Sequence, residues 1–218
     1  MQAVFVTGGT GYVGRPLIAA LLTRGHTVHA LARPGSEAKL PPGAQPIIGN
    51  ALDDATFALA IPRAATMVHL VGTPHPNPSK AAEFQRVDVA SIRATAAAAR
   101  RAGAQHLVYV SVAHPAPVMA AYIAARQEGE ALVRAAGVPA TILRPWYVLG
   151  PGHYWPYLLV PIYALLRRLP NTRQSAERLG LVTRDAMVAA LVQAVEAPPT
   201  GGVRIVEVPA IRRAAAAA

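Results

Sequence analysis

The sequence predicts an α/β fold, a doubly wound parallel sheet with a small C-terminal cap. Three observations carry this. Short β-branched apolar runs alternate with longer helical stretches, the mark of βαβ units. The first of these runs opens onto a glycine-rich loop and then an amphipathic helix. The 218 residues are 53% hydrophobic and only 15% charged, so the chain is globular and long enough to bury a substantial core.

The elements follow in order. Ala3–Thr7 is the first strand. Val13–Arg24 is a helix with its apolar face at Val13, Leu17, Ile18, Leu21 and Leu22, stopped by Gly25. Thr27–Leu31 is the second strand and Gln45–Ile48 a short third. Asp53 and Asp54 suit the start of a short helix through Leu59, because carboxylates favour the positive end of the helix dipole. Thr66–Val71 is the fourth strand. An Ala-rich helix fills Lys80 to Arg101 and stops at Gly103. His106–Ser111 is the fifth strand, Met119–Ala136 a helix ended by Gly137, and Ala140–Leu143 the sixth strand.

After Pro145 the texture changes, and aromatics and prolines crowd Trp146 to Tyr163. A helix is expected over Pro156–Arg168. Thr183 caps another through Glu196, its hydroxyl accepting from an otherwise unpaired amide. Val203–Val208 is the last strand. There is no internal repeat and no low-complexity linker. Residues 1–150 therefore read as one sheet domain, 151–213 as a small cap integrated with it, and the alanines of 214–218 as an appended tail.

Composition excludes several function classes. With no cysteine there is no disulfide framework, thiol nucleophile or thiolate zinc site. The seven histidines, at 26, 29, 69, 75, 106, 114 and 153, show no metal spacing, so no metal is expected. No G-x-S-x-G elbow is present. Lys and Arg number 21 against 11 Asp and Glu, a net charge of +10. The cations are almost all arginine and are dispersed, with no basic run and no nucleic-acid motif, so no nucleic-acid partner is expected. The N-terminal residues lack the pattern of a signal peptide. The apolar stretch Pro145–Leu166, free of Lys, Arg, Asp and Glu, is broken by three prolines and two glycines after Pro145 and cannot form one spanning helix. A cytoplasmic protein is expected.

The most informative segment is Thr7-Gly8-Gly9-Thr10-Gly11-Tyr12-Val13-Gly14. A tight strand-to-helix turn needs backbone without Cβ atoms, and a diphosphate must approach bare amides at a helix N-terminus. Gly14 then lets the first helix pack closely on the sheet. The strand before, the helix after and the second strand beyond supply the context that a Gly-rich string alone lacks. The segment predicts a Rossmann-type domain binding a dinucleotide through Gly8, Thr10, Gly11, Tyr12, Val13 and Gly14.

The spacing Gly8-x-x-Gly11-x-x-Gly14 resembles the short-chain dehydrogenase/reductase superfamily, in its extended and atypical branches. Further pieces agree in order: His69-Leu70-Val71-Gly72, Val108-Tyr109-Val110-Ser111, and Leu143-Arg144-Pro145 with Val148-Leu149-Gly150-Pro151-Gly152 beyond. The resemblance covers about Gln2 to Gly152.

The second strand ends Ala30-Leu31-Ala32-Arg33-Pro34, with no carboxylate before Glu37. An NAD-preferring site places an Asp or Glu there, against the ribose 2′-hydroxyl. An arginine pairs instead with a 2′-phosphate. NADP(H) is therefore expected over NAD(H), with Arg33 as selector and Arg15 and Lys39 adding charge. The resemblance implies that Asn50, Ala51 and Leu52 meet the adenine. It also places Val71 and Gly72 under the ribose and diphosphate, and Pro145, Trp146, Tyr147 and Val148 along the nicotinamide.

The superfamily's reductases use a tyrosine as proton donor, a lysine four residues later and a polarising serine. The resemblance implies Tyr122 as donor, with Arg126 in the lysine position. That spacing puts both side chains on one helix face. Arginine keeps the cation but cannot pass on a proton. Ser111 ends the fifth strand, one or two residues before the polarising serine would fall, so it is assigned to the nicotinamide as well as to the degraded triad. His114 is a substitute donor. His153–Leu159 is aromatic and apolar, which suits a small hydrophobic substrate, quinone- or lipid-like; the same residues serve a homodimer interface equally well. Membrane attachment is not expected, although Trp155–Leu166 followed by Arg167 and Arg168 has the composition of an interfacial anchor. Two functions stay open: an NADP-dependent oxidoreductase or epimerase-like isomerase, and a non-catalytic NADP(H)-binding redox sensor or assembly factor.

Overall fold

The structure, a computed structural model, describes residues 1–151 and 177–215. Seven strands form one sheet: β1 (Ala3–Thr7), β2 (Thr27–Ala32), β3 (Gln45–Ile48), β4 (Thr66–His69), β5 (His106–Val110), β6 (Ala140–Arg144) and β9 (Val203–Glu207). Their order is β3-β2-β1-β4-β5-β6-β9 and every pairing is parallel. Val6 of β1 sits between Ala30 and Val68, and the sequence path reverses at the β1–β4 boundary. Two further short strands, β7 (Val148–Leu149) and β8 (Val182–Thr183), pair with each other.

Strand alternation builds a core on each face. Val4, Val6, Val28 and Ala30 point to one side, against Leu17, Ile18 and Leu21 of α1 (Gly14–Thr23). Phe5, Met67, Leu107, Tyr109 and Ile142 point to the other, against Ile92, Ala98 and Ala99 of a long helix. All of these side chains are fully buried.

That long helix runs as α2 (Ala81–Glu83), a π-helical stretch (Phe84–Val89) and α3 (Ala90–Ala102), closed by Gly103 in the left-handed region. Next come α4 (Ala120–Ala135), α5 (Arg184–Glu196) and α6 (Val208–Ala214). Thr183 caps α5 as expected, accepting from the Ala186 amide at 3.1 Å.

Several boundaries differ from the sequence expectation. The helix expected after Asp53 is two 3₁₀ turns, Asp54–Thr56 and Ala58–Ala60, with Asp53 accepting from the Ala55 amide. β4 stops at His69, so Val71 and Gly72 leave the sheet instead of extending it. β9 stops at Glu207, because Pro209 is placed where the first turn of a helix needs no N–H. Ala214, read as the first residue of a tail, is helical and 4% exposed. The helix expected at Pro156–Arg168 lies outside the described residues. Among the described residues no helix is long and apolar enough to cross a membrane.

Candidate functional site

The glycine loop is built from close approaches. Gly8 has φ +78°, and a Cβ there would lie 2.8 Å from the Leu70 carbonyl carbon and 2.9 Å from the Val71 nitrogen. The Gly11 amide donates to the Gly8 carbonyl at 3.0 Å, closing the turn. A Cβ on Gly14 would collide with the Gly8 carbonyl oxygen, so α1 starts hard against the loop. No side chain caps α1 and no acid stands in its first turn. The Arg15 and Leu17 amides already donate to the Gly11 and Val13 carbonyls and Pro16 has no N–H, so it is the positive end of the helix dipole that suits an anion.

A cleft of about 460 Å³ opens at the C-terminal ends of β1, β2 and β4, where the strand order reverses. Of the residues expected to hold a cofactor, Gly8, Thr10, Gly11, Arg33, Asn50, Ala51, Leu52, Val71 and Gly72 line it together. Leu31, Ala32, Gly49, Leu70, Pro74 and Val87 complete its wall, and sequence reasoning had not singled these out. Among the described residues Arg33 is the one charged lining group, and no carboxylate faces the cleft. The Asn50 side-chain oxygen Oδ1 already accepts from the Leu52 amide at 3.0 Å, so an adenine amino group would share that acceptor.

Other expected contacts stand outside this lining. Arg15 and Lys39 are exposed. Val13 packs on the core beside α1. Tyr12 is half-buried, with the Arg184 guanidinium 5.4 Å from its ring centroid. The Pro145 carbonyl accepts from the Ala113 amide at 2.8 Å, and Trp146 meets Tyr147 edge-on at 5.4 Å. Val148 pairs with Val182. His153–Leu159 lies outside the described residues.

The catalytic candidates fall into two clusters. Tyr122 and Arg126 share a face of α4, as their spacing predicts, with the guanidinium carbon 5.2 Å from the Tyr122 ring centroid. Phe84 packs on the other side of Tyr122 at 5.1 Å. Arg126 is buried and forms a 2.8 Å ion pair with Asp88. Burial alone would lower the pKa of the guanidinium; Tyr122, Tyr109 and Asp88 more than offset this and raise it. Asp88 was missed in the sequence. Its signal was there: it is the one carboxylate between Glu83 and Glu128.

Ser111 belongs to a different cluster. Its hydroxyl donates to Glu130 at 2.7 Å. Arg144 donates to both oxygens of Glu130, from Nε at 2.8 Å and from Nη2 at 2.6 Å, and to Glu207 at 3.0 Å. His114 Nε2 stands 3.5 Å from Glu130. Burial pushes the Glu130 pKa up, but the hydrogen bonds from Arg144 and Ser111 outweigh it and hold the carboxyl below its usual range. At the cleft end of β4, buried His69 has Thr7 and Thr95 hydroxyls at 2.9 Å from Nδ1 and Ser91 at 3.3 Å from Nε2. Burial and the nearby Arg126 lower its pKa to about 3, so the ring is neutral. No three His, Asp or Glu gather to hold a metal among the described residues.

The sheet order, the reversal-point cleft and the Cβ-free loop define a dinucleotide-binding α/β protein. A family model described as NAD(P)H-binding matches residues 8–152, and the chain belongs to that family. It is 33% identical over 168 residues to a 4-hydroxy-2-methyl-3-oxo-4-farnesyl-3,4-dihydroquinoline-1-oxide ketoreductase of Stigmatella aurantiaca, covering 67% of this chain and 50% of the relative. It is 30% identical over 212 residues to a ceramide reductase of Caulobacter vibrioides, covering 96% of this chain and 65% of that protein. The chain thus spans only half to two thirds of these two relatives. The fold matches a short-chain dehydrogenase/reductase superfamily protein from Agrobacterium tumefaciens with bound NAD. The TM-score is 0.69 at 22% identity, over 94% of this chain and 77% of that one. A UDP-galactose 4-epimerase matches at TM-score 0.69 and 20% identity, over 94% and 77%.

Proposed function

We propose that this protein is an NADP(H)-dependent reductase acting on a small hydrophobic carbonyl or quinone-like substrate. The observation that carries the reading is the cleft itself. Its floor is backbone at Gly8, Gly11 and Gly72, and among the described residues its one charged lining group is Arg33 and no carboxylate faces it. A cofactor with several negative charges and a 2′-phosphate fits that lining. The missing Cβ atoms let the loop close against the end of β4 and the start of α1, which leaves backbone on the cleft floor. When bound, the reduced nicotinamide supplies a hydride. Tyr122 holds the proton to be delivered to the substrate oxygen, and Arg126 beside its ring favours the phenolate left behind. The names of the two relatives, for a farnesyl-bearing quinoline oxide and for ceramide, agree with an apolar substrate.

One experiment tests this. Purified protein is given NADPH and a panel of quinones, aldehydes and ketones, and oxidation of the cofactor is followed by absorbance. Turnover is expected, and Tyr122→Phe should lower it by about 10² to 10⁴. Turnover indifferent to Tyr122→Phe removes the tyrosine from the chemistry.

A second reading has its own observation. The Ser111 hydroxyl is committed to Glu130, and Arg126 to Asp88, so the groups expected to activate a substrate are already paired. A protein that binds NADPH and senses its redox state needs neither group free. Tight NADPH binding with no turnover across the panel selects this reading over the reductase.

A further inference from the structure

Arg126 does not stand alone beneath the cleft. Its Nη2 is 2.8 Å from Asp88 Oδ1, and its Nη1 donates to the Val110 carbonyl at 3.0 Å. The other Asp88 oxygen accepts from the Thr73 amide at 3.0 Å and the Thr73 hydroxyl at 2.6 Å. Asp88, Thr73 and Arg126 are 1%, 5% and 6% exposed. A Cβ on Gly72 would collide with Arg126 Nη2, so this clamp lies directly against the loop that lines the cofactor cleft.

Two charges buried this completely persist only with good pairing and further hydrogen bonds, and Thr73 supplies those. Here the cation also sits 5.2 Å from the Tyr122 ring centroid, so its field reaches that ring. A paired guanidinium projects less field than a bare one, because the carboxylate opposes it from nearly the same place. We propose that Asp88 is the positioning residue for Arg126: it holds the guanidinium between Gly72 and the Tyr122 ring and cancels part of the charge that Tyr122 would otherwise feel. This rests on the reading of Tyr122 as proton donor. The other groups of the cluster are Tyr109 of β5, 6.0 Å from the guanidinium carbon, the neutral His69 of β4, and the uncharged Phe84 ring of the π-helical stretch. Asp88 is the anion among them.

Ultraviolet titration of tyrosinate tests the proposal without any turnover. The difference between the protein and Tyr122→Phe isolates Tyr122. Asp88→Asn is expected to move the Tyr122 midpoint down by about one pH unit, tenfold in its ionisation constant. Asp88→Glu keeps the charge and should restore the midpoint. Thr73→Val removes a donor from the carboxylate, strengthens its hold on Arg126 and should move the midpoint up. A folded Asp88→Asn protein whose midpoint stays or rises overturns the proposal. If Asp88→Asn fails to fold, a Thr73→Val midpoint that stays or falls overturns it instead. Failure to find a reducible substrate leaves this titration intact, and a reductase whose Tyr122 midpoint ignores Asp88 loses only the Asp88 role.

Discussion

Ser111 donates its hydroxyl hydrogen to Glu130 across 2.7 Å, on the side of the sheet that α4 covers. The serine just past β5 is therefore bound to the buried Glu130, the centre of a charge cluster that Arg144 extends to the more exposed Glu207. This cluster ties the ends of β5, β6 and β9 to α4. Its geometry makes Ser111 a structural donor, where the family resemblance assigns the strand end to the nicotinamide.

Two substitutions separate those roles. Ser111→Ala should cost about 1 kcal/mol of stability, the worth of one hydrogen bond, and leave any turnover within a few-fold. Glu130→Gln leaves Arg144 without its buried counter-charge and should cost about 3 kcal/mol at neutral pH. The folded pKa of Glu130 lies below its reference value of 4.5. Its contribution is thus complete above that value and lost as pH falls through the folded pKa. Denaturant melts of the protein and Glu130→Gln should accordingly converge in acid. A constant gap between them at every pH would rule out the ion pair as the source.

His69 sets a second acid limb. Its pKa falls from 6.5 to about 3 on folding. The unfolded chain binds a proton that the folded chain refuses, so stability is whole above about pH 6.5 and drains away as pH falls toward 3. Stability measured against pH should fall through that window with a slope of about one proton. His69→Gln should flatten the slope, even if it lowers stability overall. An unchanged slope assigns the limb to other groups.

Arg33 should govern cofactor choice. Charge-assisted hydrogen bonds to a phosphate are worth about 1.5–3 kcal/mol, roughly ten- to a hundred-fold in affinity. Arg33→Ala should lower NADPH affinity by that factor and leave NADH nearly unchanged, read by titration calorimetry. Arg33→Asp should tip the ratio toward NADH. Equal losses for both cofactors would place Arg33 elsewhere than at the 2′-phosphate.

Gly14→Ala tests the loop itself. The new Cβ meets the Gly8 carbonyl oxygen and the Gly9 backbone, which cannot rotate away as a side chain can. Overpacking of this kind costs about 1–3 kcal/mol. NADPH affinity should fall at least about tenfold as the loop is displaced. Gly103→Ala is the control. It also has positive φ, +63°, but nothing within 4 Å, so it should cost about 1 kcal/mol and leave NADPH affinity alone.

The parallel sheet was legible because its signals are local. β1 and β3 fall where the apolar runs put them, and Gly25, Gly103 and Gly137 follow the ends of α1, α3 and α4, all with positive φ. The Gly-x-x-Gly-x-x-Gly loop was legible too, because each missing Cβ answers a contact within the turn or with the adjacent strand end. The i, i+4 spacing of Tyr122 and Arg126 placed them together, since helix geometry is fixed over one turn. Each of these depends on residues close in sequence or on a pattern with a fixed period.

What the tertiary structure decided are the partners of the charges. Asp88 meets Arg126 from 38 positions away in the chain, and Arg144 meets Glu207 across 63. No periodicity encodes such pairs, because they depend on how α4 seats on β5 and on where the π-helical stretch turns its side chains. The sequence by itself determined a dinucleotide-binding fold and the loop that opens it. Burial then decided which ions need partners, and only the packed sheet and helices could bring those partners within reach.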